Sequence, residues 1–327
     1  MLGQLSGRST LPTFAEDVYS SVFVTVCICT KDRPAYVRQC LNGLRNQSAP
    51  ATSFEVVIVD SGSSVANASI LTSMVQSVPC VTLIREDRPG LSRARNAGAR
   101  IARGQYIAFI DDDAVPDTNW LEAIRQAAST TAEAPALIGG RILPVWEADL
   151  PRWWPASLRG VLTLVEYLGE GEYGSAALPA GAEPYGANVT VRRADLLQIG
   201  GFSERAGRRG PELLSDEDVQ LAKRLQNAGK SVRYDSRITV WHHIQANRMN
   251  VNWLLSRLYW QGVSTVRTRR ALGDSRWVWR QLLRRIAVCV VFLPARIVPR
   301  ESSVLLSLRW RFAYSQGFIK AALGSEA

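Results

Sequence analysis

Five cysteines in 327 residues, at positions 27, 29, 40, 80 and 289, form neither the paired spacing of a zinc site nor a short disulfide framework. Cys27 and Cys29 alternate within an apolar run, the pattern of buried thiols in a reducing compartment. Long apolar runs are also missing. Near the C-terminus the longest, Ile286 to Leu293, stops at Pro294 and Arg296 and is too short to cross a bilayer. The N-terminus lacks the basic, apolar and small-residue succession of a signal peptide. The expectation is a cytoplasmic protein.

Acidic residues are scarce in one region only. From Arg248 onward there are fourteen Lys/Arg against three acids, whereas the preceding 247 residues carry 25 basic and 26 acidic side chains. The formal charge of +10 therefore belongs to the last quarter of the chain. That shift puts a boundary near residue 245. Residues 1–20 read as a loosely ordered lead-in, 21–245 as the main domain and 246–327 as a basic helical region.

Within the main domain, apolar runs alternate with helical segments. Val22 to Thr30, Phe54 to Asp60, Val81 to Arg85 and Tyr106 to Ile110 read as buried strands. Helices follow through Arg45, through about Val78, and from the segment Arg93-Ala94-Arg95-Asn96. Continuous apolar strands joined by helices predict a parallel sheet, whose ligands gather at the carboxyl ends of the strands. Thr30, Asp60 and Asp111-Asp112-Asp113 all fall at those ends. Three adjacent carboxylates repel one another unless a positive partner lies beside them. A divalent cation bridging Asp and a diphosphate supplies one; the alternative is an acidic turn in solvent.

Five segments in order resemble the inverting glycosyltransferases of family 2. They are VTVCICTKDRP, VVIVDSGSS, PGLSRARNAGARIARGQYIAFIDDDAVP, YGANVTVRRADLLQIGGFSE and SDEDVQLAKRLQNAG, spanning residues 22–243. The resemblance implies the GT-A fold: a Rossmann-like, mostly parallel sheet flanked by helices, with residues 21–113 binding nucleotide and 114–245 serving sugar and acceptor. It implies a nucleoside-diphosphate sugar donor, with a lean toward UDP, a glycan or lipid-linked acceptor, and Mn²⁺ or Mg²⁺.

By the same resemblance, Thr30, Arg33 and Asp60 hold the nucleoside, Arg93 or Arg95 lies near the diphosphate, and Asp111 and Asp113 match the Asp-x-Asp motif. The last carboxylate, Asp113, faces the metal, and the earlier ones, Asp111 and Asp112, lie near ribose and sugar. Asn188 is expected at a sugar hydroxyl. Glu217-Asp218 matches the family's acidic pair with Asp218 as general base. Gln220 stands where relatives often carry another acid, and a longer polar stretch precedes the motif, so Asp216 remains an alternative. Acids in a first helical turn also complement its dipole. The strand Arg237–Val240 is expected to end in Trp241-His242-His243; these two His are the chain's only ones. His242 aligns with a late family His that ligates metal or touches phosphate. Trp146, Trp153 and Trp154 suit either a sugar platform or loop anchors.

Residues 246–327 interleave Arg with ten aromatics, a composition typical of membrane-surface or nucleic-acid binding. No nucleic-acid motif is present, which leaves an anionic membrane face, or packing on the main domain. Two other functions compete. A sugar nucleotidyltransferase of related fold is disfavoured, because Thr30-Lys31-Asp32-Arg33 replaces a Gly-rich phosphate loop. A carbohydrate- or membrane-binding module without catalysis is disfavoured by the intact acidic motifs.

Overall fold

The computed structural model describes residues 22–292 and 303–324, apart from 77, 79, 131, 132, 177, 180, 209 and 211. The lead-in over residues 1–20 lies outside the described residues.

A single mixed sheet organises the chain, in the spatial order β3-β2-β1-β4-β8-β6-β9-β5, with β7 paired to β9. Its first four strands are β1 (Val24–Thr30), β2 (Phe54–Asp60), β3 (Val81–Arg85) and β4 (Tyr106–Asp111). They are mutually parallel and in a register that brings Thr30 level with Asp60, and Cys29 level with Asp111. The direction reverses at β8 (Asn188–Arg192), which pairs antiparallel with both β4 and β6 (Leu137–Trp146). Beyond it, β6 and β9 (Val232–Ile244) run parallel, while β5 (Ala114–Pro116) and β7 (Glu170–Glu172) pair antiparallel with β9.

Period-two alternation divides each buried strand between two cores. Tyr106, Ala108 and Ile110 of β4 face one side. There they meet α1 (Pro34–Arg45) and α4 (Trp120–Ser129). Ile107 and Phe109 face the other side, against α3 (Leu91–Ile101), α5 (Arg193–Gln198) and α6 (Glu217–Asn227). The amphipathic spacing of Val37, Cys40, Leu41 and Leu44 explains why α1 lies on the sheet, and Pro34 fits its first turn. The second helix, α2 (Val65–Val75), ends earlier than the sequence suggested.

The basic region forms α7 (Val251–Ala271), α8 (Ser275–Phe292) and α9 (Ser303–Leu323). Leu254 and Leu258 of α7 join the main core, so this region is seated on the sheet domain. A small core of its own gathers Val266, Val278, Leu282, Phe318 and Ala322. The helices α7 and α9 cross where a Cβ on Gly317 would stand 1.9 Å from the Tyr259 carbonyl oxygen, so only glycine permits that approach.

One strand departs from the sequence reading. β9 does not stop at Val240; it continues through Trp241, His242 and His243 to Ile244. Val240, His242 and Ile244 are buried while Trp241 is exposed, so the alternation persists through the polar residues.

Candidate active site

The carboxyl ends of β1 and β4, the N-terminus of α6 and one face of α7 enclose a cleft of about 280 Å³. Thr30, Arg33, Arg95, Asp111, Asp112, Asp113, Asp216, Glu217, Asp218 and His242 all line it. Residues 212 positions apart in the chain, Thr30 and His242, thus meet at one rim, as a parallel sheet arranges them.

On the strand side the acids are held by cations and donors. Thr30 Oγ1 donates to Asp112 Oδ2 at 2.7 Å. The Arg33 guanidinium straddles the pair, with Nη1 donating to Asp112 at 2.7 Å and Nη2 to Asp113 at 2.5 Å. Asp113 also accepts from Gln245 at 2.7 Å and from Arg248 at 3.3 Å, and faces His242 Nε2 at 3.3 Å. Burial would raise the Asp113 carboxyl, but His242, Arg33 and Arg248 outweigh it and hold the group well below the usual range. Asp112 goes the other way. Burial pushes it up to about 7, with Arg33 opposing and Asp113 adding to the rise.

Asp111, Asp113 and His242 bring one ligand atom each within 4.8 Å of one another. His242 Nδ1 is buried without a hydrogen-bond partner among the described residues. Two carboxylates and an imidazole with spare coordination capacity fit Mn²⁺ or Mg²⁺ as a donor set.

On the helix side, Glu217 and Asp218 occupy the first turn of α6. Arg95, itself buried, joins the two sides, with Nη1 donating to Glu217 at 2.8 Å and Nη2 to Asp111 at 3.2 Å. Asp218 Oδ2 accepts from the Gly186 amide at 2.5 Å, and Oδ1 from the Val219 amide at 2.8 Å. Burial, then Glu217, raises the Asp218 carboxyl to about 7, against the pull of Arg95 and the two amides. Gly186 serves the site twice. Its amide, which any residue but proline would offer, holds Asp218, and its lack of a side chain makes room for Arg95, since a Cβ there would lie 2.1 Å from Nη2. Asp216 caps α6 at φ 73°, a left-handed conformation uncommon outside glycine. Its carboxylate accepts from Gln261 of α7 at 2.8 and 3.1 Å and from Ser215 Oγ at 2.9 Å.

Three residues named from sequence lie apart from the cleft lining. Arg93 points away and pairs with Glu204 at 3.0 Å, so of the two arginines it is Arg95 that reaches the acids. Asn188 is buried, and its amide is fully engaged: it accepts from Trp120 Nε1 at 2.9 Å and donates to Arg141 and Ile238 carbonyls, both at 2.8 Å. Asp60 stands at the end of β2 and accepts from the Ser63 amide and from Arg85, each at 2.8 Å, while its neighbour Ser61 lines the cleft. Among the aromatics, Trp154 is buried, stacked on Trp153 at 5.5 Å and near Trp253 at 6.3 Å, an anchor for the chain's return. Gly186, Gln245, Arg248, Arg257 and Gln261 were not singled out from the sequence. The last four, which follow β9 in the chain, were hidden in a charge count and in polar residues with no motif around them.

Residues 25–153 match the model of glycosyl transferase family 2. The glucosyl-dolichyl phosphate glucuronosyltransferase of Haloferax volcanii is 26% identical over 244 residues, covering 74% of this chain and 75% of that one. Among solved structures, the mannosyltransferase PcManGT of Pyrobaculum calidifontis, in complex with GDP-Man and Mn²⁺, superposes with a TM-score of 0.55 at 18% identity, over 95% of this chain and 78% of its own. TarS of S. aureus, in complex with UDP, gives 0.52 at 18%, over 92% and 90%. These likenesses confirm the GT-A architecture that the sequence resemblance implied. The matched segment, the fold and the relatives agree: over most of its length the chain is similar to glycosyltransferases, and over residues 25–153 to those of family 2.

Proposed function

We propose that this enzyme transfers a hexose-type residue from a nucleoside-diphosphate sugar, UDP-linked by preference, to a hydroxyl of a glycan or lipid-linked acceptor, with inversion and with Asp218 as general base. The observation that carries this reading is the placing of Asp218 in one cleft with the Asp111–Asp113–His242 cluster. Inversion needs one carboxylate to take the proton of the attacking hydroxyl as the new C–O bond forms. Asp218 is suited to that step: both oxygens are fixed by amides, and its proton affinity is raised to about 7, close to neutral working pH. A divalent cation bound by Asp111, Asp113 and His242 would offset charge on the departing nucleoside diphosphate. Arg33 and Arg95 add fixed positive charge along the same rim, and Thr30 holds Asp112 in place. In this reading residues 21–245 form the transferase domain and 246–327 its appendage.

The test is calorimetric titration with UDP, GDP and dTDP, each with and without Mn²⁺, followed by determination of the anomeric configuration of the product. Mn²⁺-dependent binding of one nucleotide with an inverted product is expected. A retained configuration would remove the single-base mechanism.

We also place the protein at an anionic membrane surface on the cytoplasmic face, through residues 246–327. No helix among the described residues is long and apolar enough to cross a membrane. The outer face of α8, however, exposes Trp279, Leu283, Ile286 and Val290 at helical spacing, Leu283 by 76%. Arg276, Arg280 and Arg284 run beside that stripe, also exposed. Apolar side chains flanked by arginines suit the headgroup boundary of anionic lipid, each Arg contributing about 1 kcal/mol. Co-sedimentation with anionic vesicles, reversed by salt, is the expected result; no binding at low salt would sink this assignment.

A further inference from the structure

Arg257 has no place in the catalytic scheme above, yet it lines the same cleft. It lies in the interior of α7, is 8% exposed, and makes no ion pair with a described residue. Its Nη1 is buried without a hydrogen-bond partner. A buried guanidinium with an unused N–H is costly to maintain unless something present during function completes it.

The surroundings locate that missing partner. The charged groups that act on Arg257 are Asp216, Arg208, Tyr185 and Glu217. Asp216 is already engaged by Gln261 and Ser215, and Glu217 by Arg95. Gln261, one turn further along α7 and on the same face, donates to both oxygens of Asp216. Arg257 therefore stands on the base side of the cleft. Arg208, exposed and also lining the cleft, repels it, while Asp216, the anion that acts on it most, is hydrogen-bonded to Gln261 and Ser215. Burial pushes the Arg257 guanidinium down from its ordinary range, with Asp216 opposing.

We infer that Arg257 and Arg208 form a subsite for an oxyanion carried by a substrate at its reacting end, beside the Asp216–Asp218 side of the cleft. The inference rests on the transferase reading and narrows its substrate class. A guanidinium with free N–H groups recognises carboxylate or phosphate through charge-assisted hydrogen bonds. Two substrates could carry such a group here: a donor whose transferred sugar bears a carboxylate, or an acceptor whose attacking end bears a phosphate.

The experiment is calorimetry on the full chain with Mn²⁺ and two matched pairs of probes. UDP-glucuronate is compared with UDP-glucose, and geranyl phosphate with geraniol, the second pair both with and without UDP. In the wild-type protein the anionic member of one pair is expected to bind roughly 10- to 100-fold more tightly than its neutral partner. The pair that shows the difference identifies the source of the anion. Arg257→Met should erase the difference while UDP itself still binds. Should Arg257→Met fail to fold, Arg208→Ala decides: a reduced preference supports the subsite, and an unchanged one overturns it. Equal binding within both pairs in the wild type, or a preference that survives Arg257→Met, also overturns it. Absence of any nucleotide binding would count against the transferase reading, while the phosphate pair measured without UDP would still read the subsite.

Discussion

The two sides of the cleft are built on different plans. On the strand side, Asp112 and Asp113 are clasped by Thr30, Arg33, Gln245 and Arg248. On the helix side, Glu217 keeps one oxygen, and Arg257 one nitrogen, buried without a partner, while Asp216 holds a left-handed backbone. An unmade hydrogen bond of a buried group costs about 1–3 kcal/mol. The strand-side carboxylates are thus organised before any ligand arrives, although His242 Nδ1 beside them is also buried without a partner among the described residues. The helix side holds its deficits in reserve for groups that a particular substrate must bring.

The sharpest break in that contrast is Asp218→Asn. Loss of the base should slow transfer by roughly 10² to 10⁴-fold, with Mn²⁺-dependent nucleotide binding intact. In the wild type, kcat/KM should climb as pH rises through about 7, where Asp218 ionises, and this limb should vanish in the variant. Stability should move in the opposite sense. The folded-state value of about 7 lies above the ordinary 3.8, so the folded protein keeps a proton that the unfolded chain releases. That contribution is fully present below the unfolded value and is lost as pH rises through the folded one. Thermal melts between pH 5 and 8 should therefore show the wild type losing stability relative to Asp218→Asn, which has no charge to bury. A parallel pair of melting curves would refute the raised value.

Gly186→Ala tests whether the two sides depend on each other. The added methyl would meet the Arg95 guanidinium, which ties Asp111 to Glu217, beside the amide that fixes Asp218. Overpacking of this kind costs about 1–3 kcal/mol. Here the expected result is that transfer falls more steeply than stability, because one displacement disturbs both sides at once. If activity and melting temperature fell only in proportion, Gly186 would be a packing residue and nothing more.

How far these features could be read beforehand depends on their range along the chain. The first four strands and the polar groups at their ends were legible, because each is a local run closed by a polar residue, Thr30, Asp60, Arg85 or Asp111. β9 was read too short, as Arg237–Val240 closed by Trp241-His242-His243, whereas it runs from Val232 to Ile244. In fact the period of two continues, with His242 turned inward and His243 outward to Glu147 at 3.4 Å. Arg93 and Arg95 were indistinguishable in sequence. Two positions apart on a helix they cannot share a face, and which one reaches the cleft depends on how α3 docks. Asn188 had the composition of a sugar contact, but its strand lies in the middle of the sheet, where Trp120 and two carbonyls claim its amide. Arg248 and Arg257 were counted with the basic tail, because nothing local to them shows that α7 returns to the cleft.

The smallest effect is expected from Asp216→Asn, and it carries the choice between two candidate bases. Asp216 and Asp218 both line the cleft, and in sequence they are separated only by Glu217. Their surroundings differ. Asp216 is drawn toward α7, where Gln261 donates to both of its oxygens. Asp218 instead lies between two backbone amides. Asparagine at 216 preserves an acceptor for Gln261 and can occupy the left-handed region that Asp216 occupies, since Asn is among the few residues that tolerate it. Only charge is lost, so transfer should fall by less than about ten-fold, the scale of one weakened hydrogen bond. Comparing kcat for this variant with that of Asp218→Asn under the same nucleotide and acceptor fixes the assignment. A deep loss at 216 with a shallow one at 218 would move the base to the N-cap, and the anion subsite of Arg257 would then adjoin the reacting hydroxyl directly through Asp216.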